Sequence, residues 1–407
     1  QIEQAILSLD VMPSMRAMMT SGAALDRDNT AGYNCSYLPV DDPKSFDEAM
    51  FILLCGTGVG FSVERQFIQQ LPEVPELFDS ETTVVVRDSK EGWAKAYRQI
   101  LALLWAGEIP KWNVSRVRPQ GARLKTFGGR ASGPAPLVEL FNFTVQTFKN
   151  AQGRKLSSME CHDLMCFIGQ IVVSGGVRRS AMISLSNLSD DRMRHAKSGQ
   201  WWETAAHRAL ANNSVSYTEK PDIETFMREW TALIESKSGE RGIFNREASK
   251  KQAAKYGRRD PNHEFGTNPC SEIILRPYQF CNLTEVVVRA TDTIKDLERK
   301  VKLATILGTI QSSYTKFPYL RKVWQRNTEE ERLLGVSLTG IMDNQLMTTE
   351  NHKLAGVLDG LRNVAVDTNA EYAALLDIPA SAAITCVKPS GTVSQLVDSA
   401  SGIHARH

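Results

Sequence analysis

Cysteine is scarce in this sequence, and long apolar runs are absent. The 407 residues contain 7 cysteines, a low and odd number that excludes a small secreted scaffold held together by disulfides. Apolar runs such as residues 51–54 and 286–288 are much shorter than the ~20 residues that span a bilayer. We therefore expect a cytoplasmic protein with no membrane contact, in which each cysteine is a core residue, a metal ligand or a catalyst.

A charge excess of either sign is also missing. Lysine and arginine number 48 and aspartate and glutamate 46, which gives a formal net charge of +2. Domains that bind nucleic acid usually carry a clear basic excess. The balance predicts no nucleic-acid partner, so any phosphate-bearing ligand would be bound by a few local groups.

Helix and strand patterns alternate along the chain, with no internal repeat or low-complexity segment. Capping-box patterns at Ser45 and Ser157 open two of the predicted helices. The predicted helices span residues 45–56, 90–106, 136–150, 158–174, 224–236, 293–313 and 353–376. Strand-like runs occupy residues 83–86, 181–185, 283–289 and 383–387. This alternation favours one large α/β unit with a largely parallel sheet, and residues 250–265 are predicted to form a polar surface loop.

Cys161, His162 and Cys166 have a spacing that suggests zinc. On a helix, however, Cys161 and Cys166 would lie ~140° apart around the axis, and a structural zinc site needs four ligands. We interpret these two cysteines as core residues, together with Cys55 and Cys386. No metal bound by protein side chains is predicted.

Glycine and arginine mark three segments that could approach a ligand. Residues 56–60 lack the dinucleotide-binding spacing, so their glycines allow close approach either of a neighbouring strand or of a ligand. The basic segments 116–133 and 175–180 suit polyphosphate recognition, or are simply solvated charge. The segment Pro389-Ser390-Gly391-Thr392 follows an apolar run and precedes a predicted helix, where the helix dipole favours an anion.

The segment from Gly266 to Ile273 concentrates reactive groups. Asn268, Cys270 and Glu272 lie within five residues around Pro269, without helical periodicity. This pattern is typical of a tight loop that presents several polar groups at one point. Cys281 follows Cys270 by eleven residues.

Together these segments resemble the catalytic subunit of ribonucleotide reductases, and most closely the adenosylcobalamin-dependent (class II) ribonucleoside-triphosphate reductases. Asn268-Pro269-Cys270-x-Glu272 followed by Cys281 is highly specific. The segments 126–134 and 176–181 point to this class, and the similarity runs from residues 13–16 to residues 388–393.

The resemblance implies a radical reaction that replaces the ribose 2′-hydroxyl by hydrogen. Cys270 would become a thiyl radical, shielded on a buried loop, and would abstract the 3′-hydrogen. Glu272, with a raised pKa, would accept the proton of the 3′-hydroxyl, and Asn268 would orient the ribose hydroxyls. Cys35 and Cys281 would protonate the leaving hydroxyl, deliver two electrons and end as a labile disulfide.

The resemblance also implies binding residues and partners. Substrate would contact Ser14, Asn34 and Gly58, and its phosphates would contact Pro389, Ser390, Gly391 and Thr392. Loops that contain Arg118, Arg130, Arg178 and Arg179 correspond to the family's effector region, although no separate effector module is evident in the sequence. The implied partners are adenosylcobalamin, a ribonucleoside triphosphate, a deoxynucleotide effector and a thioredoxin-like or small dithiol reductant. A monomer is expected.

The family fold is a ten-stranded α/β barrel of two parallel five-stranded halves, with the radical cysteine on a central finger loop. We expect residues 1–407 to form this single barrel, with both ends of the full-length protein outside the sequence. No Asp-x-His-x-x-Gly cobalamin motif occurs, so the cofactor rests on the resemblance. Three alternatives are a class I subunit that needs a separate radical-generating protein, a glycyl-radical class III enzyme and an inactive nucleotide-binding regulator.

Overall fold

A computed structural model describes residues 1–124, 129–174, 181–349 and 352–406. In these residues, strands β1 to β13 are Val11–Pro13, Cys35–Pro39, Gly58–Ser62, Phe78–Val85, Glu108–Asn113, Met182–Asn187, Asn212–Tyr217, Gly242–Asn245, Gly266–Thr267, Ile274–Leu275, Gln279–Cys281, Thr284–Val287 and Val336–Thr339. Helices α1 to α17 are Ile2–Leu7, Met15–Thr20, Ala23–Arg27, Lys44–Leu54, Arg65–Ile68, Lys90–Trp105, Ala135–Asn150, Ser158–Ser174, Asp191–Arg194, Trp201–Thr204, Ile223–Ser236, Arg246–Ala254, Ile294–Gln311, Lys322–Glu331, Gln345–Thr348, His352–Leu375 and Thr392–Leu396. Short 3-10 helices span Asn29–Gly32, Ala206–Leu210 and Ile341–Asp343.

The described chain divides into two compact units. The first unit comprises Gln1–Cys35, Gln252–Pro261 and Gln279–His407, and the second comprises Ser36–Lys251 and Asn262–Tyr278.

The second unit is built on a parallel sheet. Its strands follow the order β2-β3-β6-β7-β8, and the pairs β3–β6, β6–β7 and β7–β8 are parallel. Strand β3 is buried along its whole length, as expected for a parallel strand covered on both faces. Strands β4 and β5 form a separate parallel pair.

The first unit has a three-stranded sheet in the order β1-β12-β13. Strand β1 is antiparallel to β12, and β12 is parallel to β13. Residues of α13 and α16 pack with these strands in one apolar core, which includes Val286, Val301, Val336 and Ala365. A smaller cluster joins Val393 and Val397 to Met12 and Val287, so it seats α17 against β1 and β12.

The predicted helices and the parallel α/β character are confirmed, whereas several local predictions are wrong. The capping box at Ser157 forms, because Glu160 accepts from the Ser157 backbone and Ser157 Oγ accepts from the Glu160 backbone. Ser45 caps nothing. Helix α4 already begins at Lys44, with Pro43 at the N-cap position and no side-chain cap. Asp42 Oδ1, one residue earlier, accepts from the Lys44 backbone N–H at 2.8 Å.

Two segments differ in kind from the prediction. Residues 383–387 form no strand, and Thr385 makes an isolated bridge to Val336. Residues 250–265 are not a surface loop throughout, because helix α12 covers their start and both Arg259 and Phe265 are buried. The polar composition of the segment predicted exposure. Arg259 is nevertheless buried, because it forms an ion pair with Glu331.

Candidate functional site

The loop of residues 268–272 joins strands β9 and β10, which pair antiparallel with Thr267 opposite Ile274. Asn268 is completely buried, and its Oδ1 accepts a hydrogen bond from the Ile273 backbone at 2.9 Å. Its carbonyl accepts from the Ser271 backbone at 2.9 Å. Ser271 has φ +67°, a left-handed conformation that turns the chain sharply. Asn268 thus closes the loop.

Cys270 lies exposed at the tip of this loop. The expectation that the thiol is shielded on a buried loop is therefore wrong for this structure. The buried part is the base of the loop, formed by Asn268 and Pro269, because closing the turn requires their side chains inside. Glu272 is half-buried, with its Oε2 inaccessible to solvent.

Glycines of strand β3 lie against the base of the loop. A Cβ added to Gly60 would come within 1.8 Å of the Thr267 carbonyl oxygen, and one added to Gly58 within 2.9 Å of Pro269 Cγ. Real Cβ atoms cannot approach backbone that closely. The sequence predicted that the glycines of residues 56–60 approach either a neighbouring strand or a ligand. The structure shows the close approach of backbone, and the backbone belongs to the segment that carries Cys270.

A buried ion pair, which sequence reasoning missed, holds the start of the same segment. Arg246 and Glu64 are both fully buried and share two hydrogen bonds, at 2.9 and 2.6 Å. Arg246 Nε also donates to the Phe265 carbonyl at 2.8 Å, and Ser62 Oγ donates to Glu64 at 2.7 Å. Burial lowers the pKa of Arg246, but the hydrogen bonds and charge of Glu64 outweigh it and raise the pKa. The guanidinium thus stays charged.

Cys35 and Cys281 are both buried in the first unit. Lys388 Nζ lies 3.9 Å from Cys35 Sγ, and a neighbouring ammonium group favours a thiolate. Tyr33 stacks on Phe280 with ring centroids 5.1 Å apart. The structure therefore brings together the two segments that carry the predicted redox pair.

The loop of residues 388–392 precedes helix α17, which begins at Thr392 as the anion-binding prediction requires. Gly391 has φ +61°, a conformation suited to glycine. The Lys388 backbone N–H donates to Ser337 Oγ at 3.2 Å, and that of Gly391 donates to Ser401 Oγ at 3.3 Å. Ser390 Oγ donates to Glu285 Oε2. Burial is the main cause that raises the pKa of Glu285 to about 7, against the bond from Ser390 and the charge of Lys388.

Two further predicted substrate residues lie in the first unit. Ser14 directly follows β1 and caps helix α2, accepting from the Ala17 backbone at 3.1 Å. Asn34 presents a buried Oδ1 that accepts no hydrogen bond from the described residues. A buried acceptor without a partner is costly, so Asn34 fits a ligand that donates a hydrogen bond.

Two of the four predicted effector residues, Arg118 and Arg130, lie among the residues that the structure describes. Arg118 pairs with Asp88 at 2.8 Å, and Arg130 donates to the Gly121 carbonyl at 3.0 Å. Arg178 and Arg179 lie outside the described residues.

The zinc interpretation finds no support in the structure. Cys161, His162 and Cys166 are all buried in helix α8, and His162 Nε2 is 2.8 Å from Asn213 Oδ1. No cluster of three or more His, Cys, Asp or Glu side chains suited to a metal occurs in the described part of the chain. Among the same residues, no helix is long and apolar enough to cross a bilayer.

The fold is that of ribonucleotide reductases. A solved B-12 dependent (class II) ribonucleotide reductase matches 98% of this chain and 66% of its own, with a TM-score of 0.84 and 24% identity. The class Id ribonucleotide reductase alpha subunit of Actinobacillus ureae matches the same shares, with a TM-score of 0.57 and 11% identity. At these identities the similarity establishes a mixed α/β fold shared with these proteins.

Sequence relatives narrow the similarity to one class. The adenosylcobalamin-dependent ribonucleoside-triphosphate reductase of Lacticaseibacillus paracasei is 30% identical over 91% of this chain and 57% of that protein. The protein of the same name from Lactobacillus helveticus is 26% identical over 99% of this chain and 65% of its own length. This chain thus spans about three-fifths of these relatives.

A family model described as "B12-dependent ribonucleotide reductase, insertion domain" matches residues 65–147. The segment contains β4, β5, α6 and most of α7. Sequence patterns did not separate it from the rest of the chain. Together with the relatives, it confirms the resemblance to class II ribonucleotide reductases over the class I alternative.

Proposed function

We propose that this chain carries out the adenosylcobalamin-dependent reduction of ribonucleoside triphosphates to 2′-deoxyribonucleotides for DNA synthesis. The observation that carries the proposal is the geometry of the 268–272 loop. Buried Asn268 closes the loop, Cys270 is presented at its exposed tip and Glu272 follows, half-buried. In the net reaction, two thiols become a disulfide, the 2′-hydroxyl leaves as water, and one hydrogen takes its place.

The loop residues act on the ribose. Cys270, as a thiyl radical, takes the 3′-hydrogen and later returns it, so this thiol is not consumed. Glu272 accepts the 3′-hydroxyl proton, which assists loss of the 2′-hydroxyl. Asn268 closes the loop and orients the ribose hydroxyls through its amide.

Cys35 and Cys281 supply the two electrons and the proton for the leaving hydroxyl. The ammonium group of Lys388 lies 3.9 Å from Cys35 Sγ, where it can balance the negative charge that a thiol acquires on giving up its proton. A thioredoxin-like or small dithiol reductant then reopens the disulfide by thiol exchange.

Substrate binding is assigned to groups on several segments. Ser14, Asn34 and Gly58 contact the nucleoside, with the buried Asn34 Oδ1 accepting from a substrate donor. Pro389, Ser390, Gly391 and Thr392 hold the phosphates, where loop hydroxyls and the start of α17 favour an anion. A deoxynucleotide effector would bind near Arg118, Arg130, Arg178 and Arg179.

The cofactor and the finer architecture are part of the same proposal. Adenosylcobalamin supplies radical chemistry when bound, and the exposed position of Cys270 fits a thiol that must be reached from outside its own loop. We also propose the family's ten-stranded α/β barrel, with residues 1–407 as one catalytic domain, a monomeric state and a cytoplasmic location.

A reduction assay tests the proposal directly. Each ribonucleoside triphosphate is incubated with dithiothreitol, with and without adenosylcobalamin, under air and under argon. We expect deoxynucleotide formation only with the cofactor. Activity without it would overturn the class II assignment.

The Cys270→Ala variant tests the radical thiol. Because Cys270 is exposed, we expect loss of turnover with triphosphate binding retained, measured by equilibrium dialysis. Cys55→Ala, a change at a core cysteine, serves as the matched control and should keep turnover. Repeated turnover by Cys270→Ala would refute the assignment.

A further inference from the structure

In the loop proposed to bind triphosphate, one serine hydroxyl is hydrogen-bonded to a carboxyl group. Ser390 Oγ donates to Glu285 Oε2, and the Glu285 residue is only 9% exposed. Glu285 lies in the middle of the three-stranded sheet, with Met12 and Ser337 opposite it on the two neighbouring strands. A phosphate that approached Ser390 would find the hydroxyl engaged and an acidic group behind it.

Other charged groups around Glu285 are few. Lys388, which lies on the same loop as Ser390, is the cation whose charge acts to lower the pKa of Glu285. The flanking strand segments Val-Met-Pro and Val-Ser-Leu-Thr and the helix Thr-Val-Ser-Gln-Leu contain no charged residue. On α13, Lys300 is held by the Val287 carbonyl and Asp292.

The strands on both sides of Glu285 connect it to the proposed substrate segments. Ser14 directly follows Pro13, which pairs with Thr284, the residue before Glu285. Ser337, opposite Glu285, accepts from the Lys388 backbone. The backbone of the 388–392 loop is therefore attached to the sheet beside the carboxyl group that bonds Ser390.

We propose that Glu285 controls triphosphate affinity by competing for Ser390. In its deprotonated form Glu285 holds the Ser390 hydroxyl by a charge-assisted hydrogen bond and repels the phosphates, whereas in its protonated form it holds the hydroxyl more weakly and carries no charge. The inference rests on the proposed function, because it takes residues 389–392 as the triphosphate loop.

The consequence is a pH-dependent affinity in the neutral range. Because burial raises the pKa of Glu285 to about 7, its carboxylate forms as the pH rises through neutrality, and triphosphate binding weakens. Binding above this pH should be coupled to proton uptake, since the complex favours the protonated form.

Equilibrium dialysis with Glu285→Gln tests the proposal. Each of ATP, GTP, CTP and UTP is the probe, between about pH 6 and pH 8.5, with wild type in parallel. We expect Glu285→Gln to bind about tenfold more tightly than wild type near pH 8 and within about twofold near pH 6. The triphosphate's own titration is common to both proteins, so the difference reports Glu285.

Two controls separate charge from structure. Glu298→Gln removes a carboxylate from the exposed face of α13 and should leave the binding curve unchanged. In a Ser390→Ala background, Glu285→Gln should lose the part of its effect that comes from competition for the hydroxyl and keep the part that comes from charge repulsion. Calorimetry in buffers of different ionisation enthalpy should show proton uptake near pH 8 in wild type and less in Glu285→Gln.

The possible failures are distinguishable. If wild type binds triphosphate and Glu285→Gln shows the same dependence of affinity on pH, the role of Glu285 is refuted. The proposed function is not affected by that result. If wild type binds none of the four triphosphates at any pH, the proposed function falls together with this inference.

Discussion

The 268–272 loop and the 388–392 loop are both short and irregular, yet they are held by different kinds of contact. The first is supported by a fully buried ion pair, a closed turn and strand backbone packed against glycine. The second is partly exposed and held by serine hydroxyls and one titratable carboxyl group. Under the proposed function, the first loop presents a reactive thiol and needs contacts that a ligand cannot displace, whereas the second binds phosphate and needs contacts that can be exchanged. Four substitutions test this contrast.

Arg246→Met should have the largest effect. Removing one partner of a buried ion pair leaves an uncompensated charge, here Glu64, at a cost of about 3–5 kcal/mol. Denaturant unfolding of the variant should show this loss. The double variant Glu64→Gln/Arg246→Met should recover part of it, since no buried charge remains. Equal stability of wild type and Arg246→Met would show that the pair does not support the loop segment.

Glu285→Gln should change how stability depends on pH. A carboxyl group whose pKa is raised in the folded state stabilises the protein below its unfolded value of 4.5, and this contribution disappears as the pH rises through about 7. For wild type, the free energy of unfolding should thus fall by up to about 3 kcal/mol between pH 5 and pH 8 through this group. Thermal melts across that range should give a flatter profile for Glu285→Gln, and an unchanged profile would contradict the shift.

Gly60→Ala tests the close packing beneath the 268–272 loop. Its Cβ would meet the Thr267 carbonyl oxygen at 1.8 Å, so backbone must move, at a cost of about 1–3 kcal/mol. Gly356→Ala is the matched control, because nothing lies within 4 Å of its added Cβ on helix α16, and it should stabilise by up to about 1 kcal/mol. Turnover should fall in Gly60→Ala and persist in Gly356→Ala. The same loss in both variants would indicate no special role for Gly60.

Gly391→Ala should have the smallest effect on stability. The added Cβ finds open space, and the strain comes from the backbone alone, at φ +61° and ψ −118°, which costs about 1–3 kcal/mol. We expect a small shift in the unfolding midpoint but weaker triphosphate binding, measured by equilibrium dialysis. Unchanged binding would contradict the assignment of this loop.

Features of the structure that depend on local sequence patterns were predicted better than features that depend on contacts between distant residues. The capping box at Ser157 and the helices from Lys90 and Ile223 follow from spacing within a few residues, because helix hydrogen bonds are local. The strand predicted at 383–387 is wrong as a regular strand, because its backbone bonds to residues 334–336 complete only one bridge, between Thr385 and Val336. Hydrophobic pattern does not encode that partner.

In the candidate site, too, residues that are close in sequence were predicted and pairs of distant residues were not. Asn268, Cys270 and Glu272 are close in sequence, so the motif itself indicated a loop that carries chemistry. Arg246 lies 182 residues from Glu64, and Ser390 lies 105 residues from Glu285. Nothing near these positions signals a buried pair. Cys270 was expected to be shielded, but its exposure depends on how the turn projects from the surrounding structure.

By itself, the sequence indicated the resemblance to class II ribonucleotide reductases, the candidate site residues and the local helices, because these depend on residue identity and short spacing. The tertiary structure alone decided which groups support the two loops, how far Cys270 is exposed and which carboxyl group becomes a neutral-range acid. Burial and long-range pairing set those properties, and both arise only when distant segments pack together.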